Sequence, residues 1–228
     1  MTTQTALIVG ASRGLGLGLA REYLARGWHV TGTVRGSAKT ALHDLAAASG
    51  GALTIETVDI NVPAQVSALR DRLAGRQFDL LFVNAGVSND RAETIATVSD
   101  ETFTRLMVTN ALSPMRVIEV LAPLATGAIG AMSSGLGSVA NNESGEWEVY
   151  RASKAALNTL MRSFAARHRD DKRTLLLIAP GWVRTDMGGP QALLDVETSM
   201  RGVVDAIGGR WGKPGLHYVN HQGQTVRW

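Results

Sequence analysis

Cysteine is absent from the 228 residues, which rules out disulfides and thiolate-held metals and points to a reducing, cytoplasmic compartment. Redox chemistry in such a chain must use a borrowed cofactor. No apolar stretch approaches the ~18 residues that a membrane-spanning helix needs. The opening Met-Thr-Thr-Gln-Thr runs straight toward a strand, with neither a basic region nor an apolar leader core. Membrane and export readings fall away on that pattern. An excess of one charge is also missing: 23 Lys and Arg face 20 Asp and Glu, for a formal net charge of +3. The basic residues are dispersed, which argues against a nucleic-acid partner and leaves small anionic ligands open. Low-complexity tracts, internal repeats and dividing linkers are lacking as well. With 45% apolar residues the chain can bury a full core, and one domain over 1–228 is the expectation.

What is present is an alternation of short apolar runs and helical patterns. Ala6 to Val9 reads as a strand, followed by a glycine turn and a helix through Leu24. Strands are then expected at Trp28–Val34, Leu53–Val58, Phe78–Val83 and Thr174–Ile178, with helices at Ala38–Ala48 and Ala64–Leu73. Asp100 and Glu101 open one long helix to about Leu121. A strand over Gly127–Met132 is weak because it is rich in glycine and alanine, a composition that close packing against a helix would explain. The fold class is therefore α/β, a three-layer doubly wound parallel sheet in one domain. Two irregular stretches, about 135–149 and 181–195, follow predicted strand ends, where such sheets bind ligands, and are expected to wall the site.

Two local patterns carry chemistry. In Tyr150-Arg-Ala-Ser-Lys154 the four-residue spacing sets a phenol and an ammonium on one helix face. A phenol titrates near pH ~10, and a neighbouring cation lowers that value, so the pair suits acid-base work. In the strand-to-helix turn, Gly10, Gly14 and Gly16 let backbone N–H groups approach a pyrophosphate at the helix N-terminus. Their spacing is not Gly-x-Gly-x-x-Gly. The same turn also matches Gly-x-Ser-x-Gly, a hydrolase nucleophile elbow with Ser12 as nucleophile. That alternative lacks upstream chain for an oxyanion loop, and no downstream acid and His stand out as partners.

Taken in order, these motifs resemble the short-chain dehydrogenase/reductase family over essentially the whole chain, and most closely its small C-factor-like and sniffer-like carbonyl reductases. The glycine turn is similar to the family's Gly-x-x-x-Gly-x-Gly, Asn84-Ala85-Gly86 to its Asn-Ala-Gly, and Tyr150 with Lys154 to its Tyr-x-x-x-Lys. Pro180-Gly181 follows in place, as do Gly-Trp-Val-Arg-Thr-Asp-Met-Gly-Gly and the terminal Gly-x-x-x-x-Trp. The resemblance implies a Rossmann fold and a catalytic set of Asn110, Ser134, Tyr150 and Lys154. Ser134 lies sixteen residues before Tyr150, against about thirteen in the family, so Ser133 and Ser138 stay open as alternatives. It further implies cofactor contacts from Gly10, Ser12, Arg13, Gly14, Leu15 and Gly16, from Asp59 and Ile60 at the adenine, and from Asn84, Ala85 and Gly86. Tyr150, Lys154, Pro180, Gly181, Val183 and Thr185 complete the nicotinamide end.

In that family's chemistry the cofactor's hydride reaches a carbonyl carbon while Tyr150 gives the oxygen a proton and Ser134 hydrogen-bonds it. Lys154 lowers the phenol's pKa, holds the ribose and connects through water to the Asn110 backbone. The second strand ends Thr33-Val34-Arg35, without the carboxylate that binds an NAD ribose. Arg35 and Arg13 suit a 2′-phosphate instead, so NADP(H) is the expected cofactor and a carbonyl compound or its alcohol the expected small-molecule substrate. A sensor that binds the dinucleotide without turnover is the other class, and a homodimer or homotetramer is open. His217 and His221 are four apart in a predicted strand and turn, so no metal is assigned to them. Trp147 and Trp182 flank the presumed site, as substrate walls or as anchors of loop packing.

Overall fold

The computed structural model describes residues 3–228; Met1 and Thr2, which open the stretch read as lacking a leader, lie outside them. Seven strands form one parallel sheet in the order β3-β2-β1-β4-β5-β6-β7. They are β1 (Thr5–Val9), β2 (His29–Val34), β3 (Leu53–Thr57), β4 (Phe78–Val83), β5 (Ala125–Met132), β6 (Thr174–Ala179) and β7 (Gly215–Asn220). Between them run α1 (Gly14–Ala25), α2 (Ala41–Ala48), α3 (Pro63–Arg72), α4 (Asp100–Met107), α5 (Ser113–Leu121), α6 (Glu148–Arg167) and α7 (Val196–Arg210). Successive strand residues point to opposite faces, so each central strand feeds two cores. Leu7, Leu81 and Leu177 pack with Leu69, Ile118 and Phe164 of α3, α5 and α6. Ile8, Phe82 and Ile178 pack with Leu19, Leu42 and Val203 of α1, α2 and α7. That is the three-layer arrangement expected from the βα alternation. The strand order reverses between β1 and β4, and a crevice opens there beyond the strands' C-terminal ends.

Three local expectations change. The long helix from Asp100 is interrupted at Val108–Leu112 by a π turn that contains Asn110. Pro114 follows within the first turn of α5, and having no N–H it cannot donate to the Asn110 carbonyl four residues back. Helix α2 starts at Ala41 rather than Ala38, because Thr40 caps it and His43 closes the capping box. The small residues of β5 do not answer to a helix. A Cβ at Gly130 would come within 2.6 Å of the Phe82 ring on β4, and one at Gly127 within 2.6 Å of Trp211, just past α7. Strand β5 is thin because aromatic side chains cross it.

Candidate active site

A cleft of about 1730 Å³ runs along the crevice, from the glycine turn to the N-terminal end of α6. At its first end the chain makes room by omission. Gly10 has φ +89°, and a Cβ there would sit 2.8 Å from the Ala85 backbone nitrogen; a Cβ at Gly16 would sit 2.0 Å from the Gly10 carbonyl oxygen. Gly14, at φ +55°, faces only the Thr185 methyl, 3.8 Å from where its Cβ would lie. The turn is braced from both sides. The Asn84 carboxamide donates to the Gly10 carbonyl at 2.8 Å, and the Gly10 N–H donates to the Thr33 hydroxyl at 2.9 Å. Gly10 and Gly16 thus let the turn pack against Ala85 and on itself, and the start of α1, where only the Thr185 methyl stands near Gly14, fits a pyrophosphate.

Ser12, Arg13, Gly14 and Leu15 line this end, as do Arg35 beyond β2, Asp59 and Ile60 beyond β3, and Ala85 and Gly86 beyond β4. Arg35 is exposed and makes no ion pair among the described residues. Arg13 instead reaches across the cleft mouth to Asp186, 2.5 Å away, with both side chains largely in solvent. The Asp59 carboxylate accepts from the Asn61 N–H at 2.9 Å, shaping the turn after β3. No hydrogen bond among the described residues joins Ser12 to an imidazole or a carboxylate, so the elbow reading has no base to activate its nucleophile.

The second end is built from α6. Tyr150 is half-buried and Lys154 is 3% exposed. The Lys154 ammonium donates to the Met132 carbonyl at 2.9 Å and lies 5.8 Å from the Tyr150 ring centroid. Burial pushes the Tyr150 phenol up to about 12, against a smaller downward pull from the Ser134 hydroxyl. Burial likewise pushes the Lys154 amine down to about 8. In this arrangement the amine donates to β5, and desolvation is the largest influence on each of the two groups. At neutral pH the phenol keeps its proton, the state a donor to a carbonyl oxygen needs.

Asn110 enters this end as a tie. Its carboxamide accepts from the Val87 N–H and donates to the Val87 carbonyl, both at 2.8 Å, and donates to the Ser153 hydroxyl at 3.0 Å. Ser153 in turn donates to the Tyr150 carbonyl at 2.7 Å. A Cβ on Gly86 would lie 3.3 Å from Asn110 Oδ1 and 3.4 Å from Lys154 Nζ, so three motifs meet at one glycine. Of the three serines left open, Ser134 is half-buried and lines the cleft. Ser133 is 2% exposed and bonded to Asn158, and Ser138 is 1% exposed and turned toward the Trp228 carbonyl. Opposite, Pro180, Gly181, Val183 and Thr185 line the cleft wall. The Thr185 hydroxyl accepts from the Gly188 N–H at 3.1 Å, and Val183 pairs with Leu194 across the loop. His217 bonds the Lys213 carbonyl while His221 packs against Gly181, so the two imidazoles do not converge.

A family profile described as short chain dehydrogenase matches residues 4–193. The chain belongs to the short-chain dehydrogenase family. A crystal structure of a short-chain dehydrogenase/reductase from Burkholderia multivorans with bound NADP is 56% identical, covers all of both chains and superposes with a TM-score of 0.98. The carbonyl reductase Sniffer of D. melanogaster is 30% identical over the full length of both, with a TM-score of 0.88. The C-signal protein of Myxococcus xanthus is 38% identical over 154 residues, 66% of this chain and 92% of that relative. This short-chain dehydrogenase thus sits in the small carbonyl reductase branch that its motifs resemble, and it is an oxidoreductase.

Several residues that shape its site carry no family motif. Thr33 and Ser153 emerge only from their hydrogen bonds, and so does Arg151, which is 8% exposed and donates to the Glu146 carbonyl at 2.6 Å and the Ser144 hydroxyl at 2.9 Å. Those bonds hold Trp147 in a left-handed conformation, φ 63° and ψ 34°, the only non-glycine residue with positive φ among the described residues. Its ring meets Tyr150 edge-on at 6.0 Å. A strained aromatic thus stands beside the phenol on the lining of the cleft.

Proposed function

We propose that this short-chain dehydrogenase is an NADPH-dependent carbonyl reductase acting on ketones or aldehydes, built as one domain over the whole chain. The observation that carries the reading is a single cleft with a glycine-lined turn at one end and the Tyr150 phenol, protonated at neutral pH, at the other. Bound NADPH supplies the hydride for the carbonyl carbon. Tyr150 donates the proton to the carbonyl oxygen, and Ser134 hydrogen-bonds the same oxygen. Lys154, with its amine facing Gly86 and Asn110, holds the nicotinamide ribose. The glycine turn with Ser12 and Leu15 takes the pyrophosphate, Asp59 and Ile60 flank the adenine, and Val183 and Thr185 hold the carboxamide. Arg35, free of any acidic partner, takes the 2′-phosphate, with Arg13 beside it once it leaves Asp186. The NADP held by the Burkholderia multivorans relative supports this cofactor.

A cytoplasmic setting is supported by the lack of cysteine, and among the described residues no helix is long and apolar enough to cross a membrane. Pairing into a homodimer or homotetramer follows from the family's habit of joining through the helices around Asn110 and Tyr150. The deciding experiment is cofactor consumption with a panel of aromatic ketones, aldehydes and keto esters, run with NADPH and with NADH. Turnover of at least one panel member with a strong preference for NADPH is expected. Tight NADPH binding with no turnover would make the protein a sensor, and equal efficiency with NADH would overturn the cofactor assignment.

A further inference from the structure

The Ser134 hydroxyl is useful only where its loop keeps it beside Tyr150, and two side chains outside the family motifs grip that loop. Asn158 lies four residues beyond Lys154, so Tyr150, Lys154 and Asn158 follow one another along one face of α6. It is 3% exposed and bonded at both ends of its carboxamide: Oδ1 accepts from the Ser133 hydroxyl at 2.6 Å, and Nδ2 donates to the Gly137 carbonyl at 3.1 Å. These two bonds bracket Ser134 in sequence. A third comes from the far edge of the sheet, where the Tyr218 hydroxyl on β7 donates to the Ser134 carbonyl itself. The loop also lies flush on the helix, since a Cβ at Gly137 would fall 3.0 Å from both Asn158 Nδ2 and Lys154 Cβ. Buried polar groups with all partners satisfied fix a geometry; the same groups half-satisfied release it.

We propose that Asn158 and Tyr218 are positioning residues for carbonyl reduction, which together set the distance of the Ser134 hydroxyl from the Tyr150 phenol and the reacting oxygen. This rests on the role given to Ser134 above. The helix that carries the proton donor thereby also aims the second hydrogen-bond donor, and Tyr218 of β7, packed in the same core as α6, holds the loop by its Ser134 carbonyl. Neither residue touches substrate or cofactor in this arrangement; both act through the 133–137 loop.

The test is a double-mutant cycle on the full chain, assayed with NADPH and the panel carbonyl compound that the wild type turns over fastest. Tyr218→Phe removes one hydroxyl and keeps the ring that packs against Trp228 at 5.4 Å. It is expected to lower kcat by about tenfold with NADPH affinity unchanged, the scale set by small misplacements of a reacting group. In a Ser134→Ala background the same substitution is expected to change kcat by under about twofold, because the group it aims is gone. Asn158→Leu, which keeps the branched shape at a somewhat larger volume and removes both bonds, is expected to behave alike; should it fail to fold, the Tyr218 cycle stands alone. An equal kcat loss in both backgrounds, or a fall in melting temperature with kcat intact, overturns the proposal. If Ser134→Ala alone leaves kcat unchanged, the reading of Ser134 fails instead, and the two failures are told apart.

Discussion

At its glycine-turn end the cleft is shaped by side chains that are missing, whereas at its Tyr150 end it is shaped by side chains bonded to one another across the fold. Gly10 and Gly16 work because a Cβ would collide with the Ala85 and Gly10 backbones. Around Tyr150, the side chains of Asn110, Ser153, Asn158 and Tyr218 tie the neighbouring loops to α6 and β7. Damage at the first end should therefore act through volume and be felt as lost cofactor binding or lost folding. Damage at the second should act through hydrogen bonds and protonation and be felt in turnover.

The largest effect expected from that contrast is at Gly16. Gly16→Ala puts a methyl 2.0 Å from the Gly10 carbonyl oxygen and 2.7 Å from Asn84 Nδ2, with backbone on one side that cannot yield. A stability loss of about 3 kcal/mol or more and the disappearance of NADPH binding are expected. Gly14→Ala meets only the Thr185 methyl at an ordinary contact distance and carries the left-handed penalty of about 1–2 kcal/mol. Urea unfolding of the two variants measures the difference, and equal losses would break the volume argument.

Lys154→Met comes next, and its effect splits. Turnover should fall by about a hundredfold or more, the scale of a misplaced reacting group, because the amine assigned to the nicotinamide ribose is gone. Stability should rise at pH 7, because a buried amine whose pKa falls from 10.5 to about 8 carries a desolvation penalty on the order of 3 kcal/mol. The sign follows from proton counting: between about pH 8 and 10.5 the unfolded chain binds more protons at this site, so wild-type stability climbs through that window. The melting-temperature advantage of Lys154→Met should shrink over the same range. An advantage that stays constant from pH 7 to 10.5 would show that the amine is not held in a desolvating site.

Arg35→Ala is the mildest. It should weaken NADPH binding by about 10- to 100-fold, as for loss of a charge-assisted phosphate contact, and leave NADH binding nearly untouched. Isothermal titration with both nucleotides checks it, and unchanged NADPH affinity would hand the 2′-phosphate to Arg13 alone.

Legibility in the sequence follows the same division. The βα alternation, the glycine turn and the Tyr150–Lys154 pair are local patterns of a few residues, and they fall where the residues predicted them. Thr33, Asn158 and Tyr218 were not legible, because their bonds join residues 21 to 84 positions apart and a buried Asn or Tyr has no distinguishing spacing. The π turn at Asn110 hides inside an unbroken helical pattern, with Pro114 the one signal four residues later. Burial of the phenol and the amine was not legible for a related reason: spacing places Lys154 beside Tyr150, but the desolvation that is the largest cause of both shifts comes from the packed fold.

In the proposed mechanism Tyr150 gives up the proton while the glycine-turn end holds NADPH independently of it. Tyr150→Phe, compared with wild type for NADPH binding by fluorescence titration and for single-turnover NADPH oxidation with a panel ketone, tests both halves at once. Binding within about twofold of wild type and a reduction rate lowered by about a thousandfold or more are the predicted results. A variant that reduces the ketone at near wild-type rate would contradict the account.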